Sequence, residues 1–518
     1  MKKKVLPASP LDCFCRIASF FVLSVFIVHP LVISPQVYYN ITITKLYSFL
    51  VVMSVTFLIF LAAIIMYKKK LLALLQKNKP NSFFKSVRPY EYCIFVYWII
   101  MLASALFSDY RKEAFWGSSN RSEGFLMMSV YFLAVVFIGR FYKINKSHLT
   151  CLCVVASLVS FYGIFQYYGM DFLTLNPAQM SDVQGPALVY ISTMSNRNLL
   201  STYLCVVFCV CFVLFARENH PPKKCLYLFI SWILFYMLLL GQTEAGYMGV
   251  LISTAILFPF VFPTAKNIGW FFIMLSGCCL FVWVSVKVHF ASWPPSAFAP
   301  AANWFLAAAV LFVVTALLLL KLNLPAIPQK NYKIIWYLFI ILLFAAVIFS
   351  IPHLANATGY SAIIEANEIL HGNFDDSFGS NRMFIWKRTL SMIPENLILG
   401  HGPDTFYPAF MERFGAESIA KNYNKYDKAH NEYLQILFDN GILGLVSILS
   451  FAVVVLKGLL KRCRNSAPAA LLLALTCFMV QAFFSLSTPF AHPIIWTLWG
   501  LAAAMAYQDK CIALSLIT

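Results

Sequence analysis

The chain has 518 residues, is 61% hydrophobic and only 12% charged, and its mean hydropathy of +0.75 comes with repeated apolar runs near twenty residues each, which excludes a water-soluble protein. A formal net charge of +18 would suit nucleic acid, but the Lys and Arg fall between the hydrophobic runs, where the positive-inside rule puts them, so nucleic acid is the poor explanation. The 14 cysteines sit almost wholly in or beside apolar runs and no CxxC pair flanks a His cluster; neither a disulfide framework nor a zinc site is indicated.

Lys2, Lys3, Lys4 and Arg16 precede an apolar run from about Ile17 to Ile33. The start resembles a signal peptide, but no small-residue cleavage site follows, and His29-Pro30 reads as a helix end; the run is expected to stay as a first span entering from the cytoplasm. Further runs follow near Leu46–Tyr67, Glu91–Phe107, the segment returning by Arg140, Leu149–Tyr168, Leu199–Phe215, Cys225–Leu240, Tyr247–Val261, Ile268–Val286, Asn303–Leu320 and Ile334–Ile351. Three more, Ile442–Val455, Ala467–Leu486 and Ile494–Ala506, close the chain. The expectation is an all-α integral membrane protein, a polytopic bundle of about 14 spans (12–14). Its parts are a membrane bundle over 1–351, an extracytoplasmic loop over 352–441 and C-terminal spans over 442–518.

Parity supports that count. With the N-terminus inside, fourteen spans place Lys68–Lys70, Arg140–Lys146, Arg217–Lys224, Lys266, Lys321–Lys333 and Lys457–Arg464 all inside. The same count puts Ser108–Glu123, Gly169–Asn196 and Ile351–Gly441 outside and both termini in the cytoplasm. Ile351–Gly441 is the long polar interval of the chain, with eleven of the 21 acidic residues against seven basic ones and no cysteine. A polar loop of this length in a membrane protein is expected to be the working part.

Outside, Arg121 in GSSNRSEG, Arg197 in SNRN, Arg382 in GSNRMFIW and Arg388 offer permanent charges that fork onto phosphate oxygens; each is equally read as an anchor to lipid headgroups. Asp427 reads as an N-cap, which sets His430 at the third position of a helix running to about Asn440 and stopped by Gly441. The positive end of that helix would keep the imidazole neutral and able to take a proton. Tyr433, Leu434, Leu437 and Phe438 would form a face for the membrane bundle. A lone loop histidine is more often structural or incidental than catalytic, and composition does not rank His430 against His353, His371, His401 and His492.

Three segments resemble the bacterial O-antigen ligase superfamily, which includes O-antigen polymerases and pilin oligosaccharyltransferases. NRMFIWKRTLSMIPENLILGHGPDTF is similar to its loop pattern of Arg, Trp four residues on, a Gly-x-Gly turn and an aromatic. HNEYLQILFDNGILGL is similar to its His-Asn followed by a Leu-rich helix, and STPFAHPIIWTLWGL to its closing segment; NRSEG and MSNRNLLSTYL resemble its upstream pattern. The resemblance implies a metal-independent, cofactor-free glycosyltransferase on the outer face of the cytoplasmic membrane. Its donor would be a saccharide on undecaprenyl diphosphate and its acceptor a glycan, lipid or protein. It carries over a catalytic role for Arg382 and His430 and substrate binding for Arg197 and Arg121, with Arg388 a local reading. Many members have Ser-Arg where this chain has Thr243-Glu244, so Glu244 would orient a positive partner or an acceptor sugar. The aromatics Phe374, Phe378, Trp386, Phe406, Tyr407, Tyr423 and Tyr426 are open to stacking on sugars or packing the loop. Two other classes stay open: a polysaccharide flippase, which would place paired charges within spans, and a peptidoglycan-type polymerase using Asp375, Asp376 or Asp404.

Overall fold

A computed structural model describes residues 9–34, 41–77, 87–118, 121–175, 191–194, 196–241, 243–287, 302–322, 328–358, 361–421, 423, 426–485 and 488–507. Much of the exterior segment expected at Gly169–Asn196 lies outside these residues. Among them the regular structure is helical throughout. The first seven helices are α1 (Pro10–Leu31), α2 (Ile41–Met66), α3 (Lys68–Lys77), α4 (Pro89–Phe107), α5 (Arg111–Trp116), α6 (Phe125–Phe141) and α7 (Lys146–Tyr167). Then come α8 (Arg197–Arg217), α9 (Pro221–Gly241), α10 (Glu244–Val261), α11 (Ala265–Lys287), α12 (Ala302–Lys321) and α13 (Gln329–Thr358). The polar interval holds α14 (Ser361–Leu370), α15 (Phe378–Met392) and α16 (Phe406–Ala420), and the chain closes with α17 (Glu432–Arg462), α18 (Ser466–Gln481) and α19 (His492–Ala506).

Eleven of the described helices are long and apolar enough to cross a membrane. The apolar helices α6, α18 and α19 are shorter, with 17, 16 and 15 residues. Fourteen thus remains the expectation from sequence, and eleven is what helix length and composition give. The short helices are lodged among neighbours: every residue of α19 is buried.

At the centre stands α8, buried from Leu199 through Ala216. A helix apolar all round has no face to give to solvent and belongs inside a bundle. It packs against α7, α9, α10 and α18, while α19 lies along α6 and α17 along α4. At the periphery α13 is the opposite case, with none of its apolar window buried.

The polar interval folds around a core of its own. Phe384, Ile385, Phe406, Phe410, Tyr426, Leu434 and Phe438 are buried together, with Trp386, Phe414 and Tyr423 packed on them. This corrects one expectation. Leu434 and Phe438 are buried in the loop core with Leu437 packed on it, whereas Tyr433 reaches the bundle, donating its hydroxyl to Met479 O at 2.6 Å. The α17 helix breaks at Gly441 (φ 65°, ψ −172°), where a Cβ would stand 2.2 Å from Ile398 O. The Gly-His-Gly turn docks on this break: His401 N–H donates to Phe438 O at 2.8 Å, Gly402 N–H to Asp439 O at 2.9 Å, and Ile442 N–H to Leu397 O at 2.8 Å. The glycine pattern thus seats the loop on the bundle.

Candidate active site

Four helix starts converge on one cavity of about 1150 Å³. Arg197 opens α8, Glu244 opens α10, Arg382 lies early in α15, and His430 stands just before α17; all four line the cavity, with Arg121 and Asp427. Backbone N–H groups at such starts favour anions. At α8 the Asn196 side chain accepts from Asn198 N–H at 2.7 Å and no acidic residue sits in the first turn, so the positive end of the buried central helix is left to whatever enters.

Arg382 follows three consecutive left-handed residues: Gly379 (φ 63°), Ser380 (φ 58°) and Asn381 (φ 68°). For Ser and Asn this backbone costs about 1–3 kcal/mol each, and such strain collects where a side chain must be aimed. The turn is held by Gly379 N–H donating to Glu365 Oε2 at 2.8 Å. Arg382 Nη1 donates to Gly379 O at 3.3 Å, whereas its buried Nε meets no hydrogen-bond partner among the described residues. Burial works against the Arg382 charge, and the carboxylate of Glu244 across the cavity supports it.

His430 is itself left-handed, at φ 53°. The expected cap is corrected here. Asn431, not Asp427, caps α17, accepting from Tyr433 N–H at 3.0 Å and Leu434 N–H at 3.1 Å, so His430 lies one residue outside the helix. The reason is tertiary. Ala429 is fixed on both sides, its N–H donating to Gln435 Oε1 at 2.8 Å and its carbonyl accepting from Trp386 Nε1 at 3.0 Å, while Glu432 N–H donates to Ala482 O at 2.9 Å. Asp427 instead takes Arg121, with Oδ2 at 2.7 Å from Nη2 and 2.8 Å from Nε. The ring is nonetheless held neutral. Burial and then the Arg382 guanidinium push its pKa down to about 4, Arg121 adding to them and Asp427 opposing.

Arg388 stands apart from the cavity. It is bound to Glu417 Oε1 at 2.5 Å and Asp376 Oδ2 at 3.2 Å and lies 4.5 Å over the Phe384 ring. Six residues along a helix turn a side chain by roughly 240° from Arg382, which carries it to another face. The carboxylates open to a polymerase reading are also engaged: Asp376 by Lys387, Arg388 and Lys421, and buried Asp404 by the N–H groups of Ser118 (2.8 Å) and Glu123 (3.1 Å). Of the other histidines expected outside, His401 is stacked on Phe438 at 4.4 Å and His492, at the start of α19, is buried against Glu123 at 2.6 Å, both in structural settings. The aromatics divide likewise: Phe406 and Tyr426 build the core, whereas Phe374 is exposed.

Sequence reading passed over a buried ionic cluster beneath the site. Lys428 Nζ lies 3.5 Å from Asp404 Oδ1 and 3.8 Å from Glu123 Oε2, and Asp404 N–H reaches Asp439 Oδ2 at 3.4 Å. Burial pulls the Lys428 pKa down, but Asp404, Glu123, Asp439 and Glu432 outweigh it and hold the ammonium well above its usual range. The cluster ties the loop to the turn before α6 and to α19. Lys428 is two residues from His430, so the same fastening sets the histidine's place.

Residues 302–449 match the family model described as O-antigen ligase. The match runs from α12 into α17 and takes in Arg382, Asp427 and His430; Arg121, Arg197 and Glu244 reach the cavity from outside it. The resemblance to the O-antigen ligase superfamily is therefore shown over that stretch. No curated protein matches the chain.

Proposed function

We propose that this cavity transfers a glycan from an undecaprenyl-diphosphate-linked donor to an acceptor hydroxyl at the outer face of a bacterial cytoplasmic membrane. The family match supports the coarse class, a membrane enzyme that joins glycans. The observation that carries the finer reading is a neutral histidine sharing one cavity with Arg382, Arg197 and Arg121 at converging helix starts. Arg382, with an unpartnered Nε, and Arg197 at the α8 start are the groups to receive the diphosphate, whose growing negative charge they neutralise as the anomeric C–O bond breaks. The acceptor oxygen attacks from the opposite face while His430 takes its proton, so a single displacement inverts the anomeric centre. The arginines supply the charge neutralisation, and the chemistry as drawn needs no metal. Glu244 supports the Arg382 charge across the cavity.

The test is Arg382→Lys in purified protein with the lipid-linked donor from the same cells. A point charge cannot reproduce a planar fork, and one charge-assisted hydrogen bond is worth about 1.5–3 kcal/mol, so donor turnover should fall roughly tenfold or more at equal protein abundance. Equal turnover by Lys and Arg enzymes would make this residue a headgroup anchor.

The side of the membrane is tested separately. Ser377 is exposed on the loop. A cysteine placed there by Ser377→Cys is expected to react with a membrane-impermeant maleimide in spheroplasts; labelling only after lysis would put the loop, and the reaction, on the cytoplasmic side.

A further inference from the structure

The Arg121–Asp427 pair is the one ion pair in the cavity wall, among the described residues, that joins a cation of the site to a carboxylate beside His430. Both bonds fall on the same oxygen, Oδ2, which is not the two-oxygen fork that guanidinium and carboxylate make at their strongest. Each side chain is 18% exposed, and that exposure opens onto the cavity. A diphosphate entering there offers Arg121 more negative charge and several oxygens in place of one.

We infer that Asp427 is a positioning residue whose carboxylate, held by Arg121, is yielded to His430 when an anionic donor takes Arg121. Once released, Asp427 opposes the imidazolium formed as the acceptor proton moves from oxygen to the ring, while the electron pair of the breaking C–O bond leaves on the diphosphate. Donor binding and base strength are thereby coupled. The charged groups facing the ring divide by sign. Arg382 and Arg121 weaken the base and Arg197 stands in the same wall; a bound diphosphate would neutralise all three. Glu244 faces Arg382, and Tyr426 meets the ring edge-on at 6.4 Å. Asp427 is the carboxylate that raises the ring's affinity for a proton. Burial and these cations hold the base at about 4, and neutralising the cations with a diphosphate is expected to strengthen it. This inference rests on the transfer reading above.

The experiment is a pair of pH–rate profiles on purified full-length protein with undecaprenyl-diphosphate-linked glycan from the same cells, comparing wild type, Asp427→Asn, Asp427→Glu and His430→Ala. In wild type the acid limb of kcat, which reports the donor complex, should lie at higher pH than that of kcat/KM, which reports the free enzyme. Asp427→Asn should shift the kcat limb to lower pH and cut turnover at neutral pH by roughly tenfold, the worth of one pKa unit. Its retention of undecaprenyl diphosphate should be at least that of wild type, since Arg121 is freed. Asp427→Glu should restore part of both. An unmoved limb in Asp427→Asn, with His430→Ala inactive, would overturn the role of Asp427 alone. Near-normal turnover by His430→Ala would overturn both this inference and the transfer reading.

Discussion

Transfer by His430→Ala is expected to fall roughly 10²–10⁴-fold, the usual worth of a positioned general base. On the proposed reading the diphosphate is a good leaving group once its charge is met, so the histidine would contribute on the acceptor side, where a sugar hydroxyl is a poor nucleophile at neutral pH. The ring is built for that role. It stands in the left-handed backbone region at φ 53°, between Ala429, fixed by two hydrogen bonds, and Asn431, the cap of α17. With its pKa pushed down to about 4, it is neutral throughout the physiological range and ready to accept. His430→Gln keeps some hydrogen bonding but cannot take the proton, and should be nearly as poor as alanine. Rescue by glutamine would mark the histidine as a structural hydrogen-bonding group.

The second large effect is on folding. Lys428→Met removes the one ammonium that faces Asp404 and Glu123, whose side chains are each 2% exposed. Breaking a buried charge cluster on one side costs about 3–5 kcal/mol, eased here by His492 at Glu123 and by the two N–H donors that Asp404 keeps. The folded-state pKa of Lys428 is raised above its ordinary 10.5, so its stabilisation is fully present at neutral pH and is lost only as pH climbs through the alkaline range above that value. Lower thermal stability in detergent and less protein in the membrane are expected, and Lys428→Met with Asp404→Asn should recover part of the loss. A single variant as stable as wild type would show that the cluster is not what fastens the loop to the bundle.

The helices were legible because apolar runs near twenty residues carry their own signal, and α8 reads in the sequence as it stands in the bundle. Local rules failed where a distant contact decided a local choice. Asp427 and Asn431 are both good caps, and the tie is broken by Trp386, Gln435 and Ala482, which no cap rule sees. Arg388 shares a motif segment with Arg382, but helical rotation and a waiting pair of carboxylates, Asp376 and Glu417, take it elsewhere. The Lys428 cluster draws on Glu123 and Asp404, far away in the chain, and no spacing announces it. The left-handed run Gly379–Asn381 hid in a stretch that reads simply as a turn. Arg121, Arg197, Arg382, Glu244 and His430, named from separate segments, do line one cavity.

The most direct test of that cavity as the transfer centre scores donor retention and donor turnover separately in one preparation. Purified wild type, His430→Ala and Arg382→Ala, matched in abundance, would each be given radiolabelled undecaprenyl-diphosphate-linked glycan from the same cells. His430→Ala should retain the donor at the wild-type level and fail to transfer it, whereas Arg382→Ala should lose both. Wild-type retention by Arg382→Ala, or near-wild-type transfer by His430→Ala, would contradict the account and put the catalytic centre elsewhere in the fold.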